Sequence, residues 1–230
     1  MTPWITKPVP FNIGQGAAAA ATPSGCQGDF CSDYDDASDW TQISTGIDVD
    51  TTVEGACACR TGGGDGTTNR EVYQDIGLTL SNTTWVSDSE FMWISNAGNN
   101  SSIPYLLATA SGQFNAVKNI GWQEQLTVTK LYLQDYNTSV QQTAYATVLT
   151  ASEVYYPRLT RLTATSSKLN IFTAGYGDTE LGTPITHTID SVIQSLDTLN
   201  HGNNKGENTS STRNWDITQT QVWDGVTVPP

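Results

Sequence analysis

The feature that most restricts the fold of this chain is a series of short runs rich in β-branched and aromatic residues. Clusters of Gly, Asn, Asp and Ser separate these runs, and no sustained apolar stripe of helical period accompanies them. Eleven runs occupy residues 41–49, 71–80, 84–95, 103–110, 126–133, 144–149, 154–162, 168–173, 185–189, 192–199 and 215–223. Short strands at this spacing predict an all-β sandwich. The run 192–199 would also fit two helical turns, and we interpret it as a strand.

Charge and polarity restrict the function. The 230 residues include 10 Lys and Arg against 23 Asp and Glu, for a formal net charge of −13. The basic residues are scattered singly, so we expect no nucleic-acid binding. Ser, Thr, Asn and Gln together make up 81 residues, as in secreted and surface-exposed β proteins. No stretch approaches the ~20 apolar residues of a membrane span. We expect an extracellular, cell-surface or virion-surface location.

The N-terminal segment has a different texture. We predict that residues 1–32 form an extended arm, because the segment begins rich in Pro, Ala and Gly and shows no sustained periodicity, and that residues 33–230 form the folded domain. The N-terminal sequence lacks the basic start and the following apolar run of an ordinary signal peptide. Either a signal was removed, or the protein leaves the cell by another route, such as virus release. The apolar residues expected to contact another copy of the chain are Trp4, Ile5, Val9, Phe11 and Ile13.

Four cysteines fall into two close pairs, Cys26 with Cys31 and Cys57 with Cys59. Two disulfides fit this spacing better than a zinc site, because a single residue between paired zinc ligands is uncommon. A direct bridge from Cys57 to Cys59 would be strained, so we expect both to reach back to Cys26 and Cys31. Such bridges would staple the arm to the domain and contribute about 3–4 kcal/mol by chain entropy.

Four stretches together resemble the strands of concanavalin A-like, laminin-G-like jelly-roll domains. They are YDDASDWTQISTGIDVD at 34–50, EVYQDIGLTLSNTTWVSD at 71–88, VYYPRLTRLTATSSKLNIFT at 154–173 and NWDITQTQVWDG at 214–225. The resemblance implies a two-sheet antiparallel jelly-roll sandwich, with the closing strand at 215–223 paired near 41–49. It also implies a calcium site, with oxygen ligands drawn from Asp33, Asp35, Asp36 or Asp39 and from Asp216.

Glycan binding in such folds uses aromatic rings as platforms, with polar groups that fix the sugar hydroxyls. The aromatic candidates near predicted loops or on an outward face are Trp122, Tyr132, Tyr136, Tyr145 and Tyr156. Each could equally belong to the core, where strand aromatics usually lie.

Catalytic machinery is not visible in the sequence. Some proteins with this fold are glucanases with a Glu-x-Asp-x-x-Glu strand, which places two carboxylates on one face. The nearest candidates are Asp88 with Glu90, and Asp178 with Glu180 in a Gly-rich turn, and we interpret both pairs as solvated surface carboxylates. No recognisable Ser/His/Asp signature accompanies the two histidines at 187 and 201. We therefore expect a protein that is not an enzyme.

Two functions agree with these observations, and a third is less favoured. The first is a structural or decorating subunit of a virion or an extracellular filament, with glycan binding as a further property. It rests on the arm, whose apolar surface is too small to order the segment without a partner. The second is a soluble lectin-like module that binds a surface polysaccharide. The third is an unrecognised glycoside hydrolase.

Overall fold

The structure is a computed structural model of the 230-residue chain. It describes residues 28–32, 34, 36–42, 47–53, 56–61, 70–97, 101–111, 116–125, 130–203 and 212–230. The predicted assembly residues of the arm and Cys26 lie outside these ranges, so the arm stays a prediction. The described residues form strands and one 3-10 turn, Ala37–Asp39. The all-β prediction is confirmed.

The first sheet contains eight described strands and is called the eight-stranded sheet. They are β1 (Phe30–Ser32), β3 (Ile47–Val53), β4 (Ala56–Thr61), β6 (Trp85–Ala97), β11 (Val154–Thr163), β12 (Ser166–Phe172), β13 (Ile185–Thr188) and β15 (Thr212–Asp224). Their order is β13-β12-β11-β6-β15-β4-β3, and β1 also pairs with β15. The two longest strands, β6 and β15, therefore form the centre of the sheet.

The second sheet contains seven described strands and is called the seven-stranded sheet. They are β2 (Thr41–Gln42), β5 (Arg70–Asp75), β7 (Ser101–Ala108), β8 (Asn119–Gln125), β9 (Lys130–Tyr136), β10 (Val140–Ala144) and β14 (Thr198–Asn203). Their order is β10-β9-β8-β7-β14-β5-β2, with every neighbouring pair antiparallel. The two sheets pack face to face, so the predicted two-sheet antiparallel sandwich is confirmed.

Aromatic and aliphatic side chains on alternate strand positions fill the space between the sheets. Trp85 and Phe91 in β6 point inward from one sheet, and Trp122 in β8 points inward from the other. The rings of Phe91 and Trp122 meet edge to face with their centroids 4.9 Å apart. Such pairs contribute roughly 0.5–1.5 kcal/mol beyond the area that they bury.

Three buried side chains, Tyr34, His201 and Thr220, form a hydrogen-bonded network inside this core. The Tyr34 hydroxyl lies 2.8 Å from His201 Nε2 and 2.7 Å from Thr220 Oγ1, and His201 Nδ1 lies 2.5 Å from the Pro104 carbonyl oxygen. Because a carbonyl only accepts, Nδ1 carries the proton and Nε2 accepts from Tyr34. Burial lowers the pKa of His201 to about 4, so the ring is neutral at pH 7.

Some predicted strands differ from those observed. The run 192–199 is a strand only from Thr198, because Asp190 turns the chain: its backbone carbonyl accepts from the Ile193 amide and its side chain from the Val192 amide. The predicted neighbour of the closing strand was wrong. Strand β15 pairs with β6, β4 and β1, while β3 lies one strand further out and Thr41–Gln42 belongs to the other sheet.

Candidate functional site

The outer face of the seven-stranded sheet carries a row of polar and aromatic side chains along strand β9. Leu131 and Leu133 alternate into the core, which directs Tyr132, Gln134 and Tyr136 outward. The two tyrosines are half-buried, whereas Gln134 is fully buried between them. We call these three outward residues the Tyr-Gln-Tyr row. It combines two ring faces with a central amide.

The Gln134 side chain is unusual because neither its oxygen nor its nitrogen has a hydrogen-bond partner. It is 0% exposed, and a buried amide without partners costs about 1–3 kcal/mol. Buried side-chain polar atoms normally have a hydrogen-bond partner in the protein or in water, so the unpaired oxygen and nitrogen of Gln134 require an explanation. An amide that both donates and accepts is suited to two adjacent hydroxyl groups, one of which donates and one of which accepts.

The neighbouring strands continue the polar surface around Gln134. Its cross-strand partners are Gly121 in β8 and Gln142 in β10, and Gln123 donates a hydrogen bond to Gln142. A Cβ at Gly121 would lie 2.0 Å from the Tyr105 carbonyl oxygen, so only glycine lets β8 approach β7 this closely. The row therefore has amide groups on its flank, as a site that binds hydroxyl groups requires.

The structure separates the five aromatic residues that were candidates for sugar platforms. Tyr132 and Tyr136 lie together on the Tyr-Gln-Tyr row. Trp122 stacks on Tyr105 in the core, and the Tyr145 hydroxyl donates to the Leu181 carbonyl oxygen at 2.5 Å. Trp122 is 1% exposed and Tyr145 0%, so neither offers a ring face to a ligand. The fifth candidate, Tyr156, is half-buried and lies apart from the Tyr-Gln-Tyr row, on the outer face of the eight-stranded sheet.

One of the two acidic pairs, Asp88 with Glu90, is placed differently from the expectation of solvated carboxylates. Asp88 is 2% exposed, and both of its oxygens accept hydrogen bonds from Arg158 at 2.7 Å. Burial raises the pKa of Asp88 and of Glu90, although Arg158 acts in the opposite direction on Asp88. Asp178 and Glu180 are exposed, as expected, and Asn170 donates a hydrogen bond to Glu180.

The predicted calcium ligands do not come together in the part of the chain that the structure describes. Asp33 and Asp35 lie outside it. Asp36 and Asp39 are exposed, and a hydrogen bond from Ser38 lowers the pKa of Asp36, which caps the 3-10 turn. Asp216 is 0% exposed in β15. No group of three or more metal-ligating side chains occurs among the described residues, and the calcium site stays a prediction.

A second group of functional side chains was missed by the sequence analysis. His187 Nε2 lies 2.8 Å from an Asp135 oxygen, and its Nδ1 lies 2.8 Å from the Thr143 hydroxyl. The other Asp135 oxygen accepts from the Asp190 amide at 2.9 Å. Because a carboxylate only accepts, Nε2 carries a proton and donates it to the hydrogen bond with Asp135. These residues come from strands β9, β10 and β13, and we interpret them as a link between the edges of the two sheets.

The cysteines support the predicted staple only in part. Cys31 takes part in a disulfide. Strand β1, which carries Cys31, pairs with residues 220–222 of β15, and β4, which carries Cys57 and Cys59, pairs with residues 216–217 along the same edge. The two strands therefore lie end to end, as a bridge between them needs. The pairing itself stays a prediction.

The sandwich fold is shared with carbohydrate-binding proteins. No protein-family model and no curated protein sequence matches the chain. Among solved structures it is similar to the lectin UEA-II in complex with galactose, with 10% identity, a TM-score of 0.54 and coverage of 85% of this chain and 98% of the lectin.

Two further structures show the same similarity. The carbohydrate-binding module CBM66 from Bacillus subtilis has 10% identity and a TM-score of 0.52, and the match covers 81% of this chain and 96% of the module. The carbohydrate esterase vb_24B_21 from the Shiga toxin-encoding bacteriophage phi24B has 14% identity and a TM-score of 0.54, with 86% and 98% covered. At these identities the similarity shows the fold alone. In the described part of the chain, no helix is long and apolar enough to cross a membrane.

Proposed function

We propose that this protein is a carbohydrate-binding module that acts without catalysis and is displayed on an extracellular or virion surface. The observation that carries the proposal is the buried Gln134 amide, whose two polar atoms have no partner, between the half-buried rings of Tyr132 and Tyr136. The similarity of the fold to a lectin and to a carbohydrate-binding module supports the class of ligand.

The geometry of the row favours an oligosaccharide over a single sugar. Tyr132 and Tyr136 are four residues apart in one strand, which separates them by roughly 13 Å. This distance exceeds one sugar ring, so each tyrosine would contact a different unit of the ligand. Gln134 lies midway between the rings, and because it is fully buried its amide would have to turn outward to reach two sugar hydroxyls.

A single substitution tests the role of Gln134. Gln134→Leu keeps the size of the side chain and removes its unpaired polar atoms. We expect at least a tenfold loss of affinity for a binding oligosaccharide, identified on a glycan array and measured by calorimetry. The same variant should be more stable by about 1–3 kcal/mol, because no buried polar group remains unpaired.

The matched control is Gln194→Leu, which changes an exposed glutamine in the loop between β13 and β14. It should leave both affinity and stability unchanged. A Gln134→Leu protein that binds the oligosaccharide as the natural chain does would refute the site. Incubation of the natural chain with the same oligosaccharide should release no reducing ends, and their release would replace binding with hydrolysis as the function.

The structural-subunit role rests on a different part of the chain. That part is the N-terminal arm, because its apolar residues are suited to adding a strand to a neighbouring copy of the chain. We propose that the arm attaches the module to an assembly, so that many glycan sites act together and avidity exceeds the affinity of one site. This proposal is independent of Gln134 and has its own test at the scale of the whole molecule.

A further inference from the structure

The outer face of the eight-stranded sheet carries a second cluster, on the opposite side of the molecule from the Tyr-Gln-Tyr row. Asp88 and Glu90 alternate outward from β6, and Arg158 projects outward from the neighbouring strand β11. The Arg158 guanidinium donates two parallel hydrogen bonds to Asp88, from Nε and Nη2, both 2.7 Å long. This two-point contact neutralises Asp88 and fixes the guanidinium plane.

Aromatic rings surround the fixed guanidinium. Its carbon lies 5.6 Å from the ring centre of Phe172 and 5.4 Å from that of Tyr176. Tyr176 lies in the turn that follows β12, and its ring meets Tyr156 edge to face at 5.3 Å. Arg158 is therefore a positioning residue that fixes Tyr176 next to Tyr156. Both tyrosines are half-buried, so part of each ring stays accessible.

Glu90 is the charged group of this cluster that lacks a counter-ion. It is half-buried, and no cationic side chain among the described residues pairs with it, since Arg158 is committed to Asp88. The register of β11 with β6 runs from Val154 opposite Met92 to Arg158 opposite Asp88, which places Glu90 across from Tyr156. Burial raises the pKa of both tyrosines, and the Glu90 charge raises each pKa further, as expected for a carboxylate close to the rings.

We propose that Glu90, Tyr156 and Tyr176 form a second binding site, specific for an organic ammonium group. Tyrosine ring faces attract cations, and this attraction strengthens where water is partly excluded. The half-buried carboxylate supplies the opposite charge. The ammonium group can belong to an amino sugar or to a quaternary amine such as choline, and the chemistry of the site is the same for both.

The charges around the cluster argue against other ligands. An anion would meet Glu90 and the nearby Glu180, and the charge of Arg158 is already neutralised by Asp88. An uncharged ligand would leave Glu90 without a counter-ion. The net charge of −13 on the whole chain further favours a cationic ligand at low ionic strength.

The test compares small probes by calorimetry at neutral pH. Glucosamine and choline represent the two sources of the ammonium group, and N-acetylglucosamine is the uncharged match for glucosamine. We expect saturable binding of glucosamine or choline that is at least tenfold tighter than that of N-acetylglucosamine. Equal or weaker binding of both cations would overturn the proposal.

Variants assign the binding to the cluster. Glu90→Gln keeps the shape and removes the charge, and it should weaken ammonium binding at least tenfold. Asp178→Asn removes one exposed carboxylate from the turn that carries Tyr176, and it should leave binding unchanged. Equal affinities of the natural chain and Glu90→Gln would contradict the site.

The natural chain provides a second measurement if Glu90→Gln fails to fold. Choline carries a fixed charge, so any loss of its binding at low pH comes from the protein. Binding should be lost as Glu90 is protonated, at a pH above the usual glutamate range because burial raises its pKa. A flat profile down to pH 4 would refute the role of Glu90. Gln134→Leu should not affect choline binding, so this proposal can fail or succeed independently of the proposed function.

Discussion

At the scale of single residues, His201 shows how one buried group links the sequence to stability. Its ring donates to the Pro104 carbonyl through Nδ1 and accepts from Tyr34 through Nε2, so it is fully satisfied only when neutral. Protonation would place a charge in the middle of the core, which is why burial lowers the pKa to about 4. The unfolded chain has no such constraint, and its histidine titrates near 6.5.

This difference predicts how stability depends on pH. The pKa of His201 is lower in the folded state, so its contribution is complete above about pH 6.5 and is lost as pH falls towards 4. The loss amounts to about 3 kcal/mol. We expect His201→Gln to remove this part of the pH dependence in denaturant unfolding. A pH dependence between 6.5 and 4 identical to that of the natural chain would contradict the assignment. If His201→Gln does not fold, Tyr34→Phe removes the hydroxyl that donates to Nε2 and should change the same part of the profile.

At the scale of elements, the edges of the sandwich are held by polar contacts as well as by packing. Strand β13 is four residues long and lies at the end of the eight-stranded sheet. His187 joins it to Asp135 in β9 and Thr143 in β10, which belong to the other sheet. The link closes one open side of the sandwich.

Removal of this link should loosen the edge locally. His187→Ala leaves one oxygen of the buried Asp135 carboxylate without its hydrogen-bond partner, which costs about 1–3 kcal/mol. We expect faster amide hydrogen exchange in β13 and β10, with central strands β6 and β15 affected less. The control Thr186→Ala changes an exposed residue of the same strand and should cost less than about 0.5 kcal/mol. Equal exchange rates in His187→Ala and the natural chain would show that packing alone holds the edge.

At the scale of the whole molecule, we propose that the arm decides whether the protein is part of an assembly. Deletion of residues 1–24 removes the predicted strand-forming segment and retains all four cysteines. We expect a folded monomer by light scattering, whereas the full chain should form larger species. A double substitution in the full chain, Val9→Asp with Phe11→Asp, should have the same effect without a change in length. If the truncated chain still assembles, the arm does not hold the assembly together, and the lectin-like module becomes the better description.

The class of fold was predictable because alternation and turn residues are local signals. Strands β6, β11, β12 and β15 lie close to the runs at 84–95, 154–162, 168–173 and 215–223. Strands β1, β4, β8 and β10 were missed. Their residues include Gly121, Gln141 and Gln142, which have weak strand preference and enter the sheets through pairing with neighbours.

The sequence by itself determined the all-β sandwich and singled out Tyr132 and Tyr136 among the aromatic candidates near loops or on an outward face. Tertiary structure alone decided that Trp122 and Tyr145 are core residues, that Arg158 neutralises Asp88, and that Gln134 is buried without a partner. Burial and pairing between distant strands depend on which surfaces meet, and a local pattern carries no information about the partner across the sheet. The residues of the two candidate sites are brought together only by the pairing of β9 with β8 and β10 and of β6 with β11.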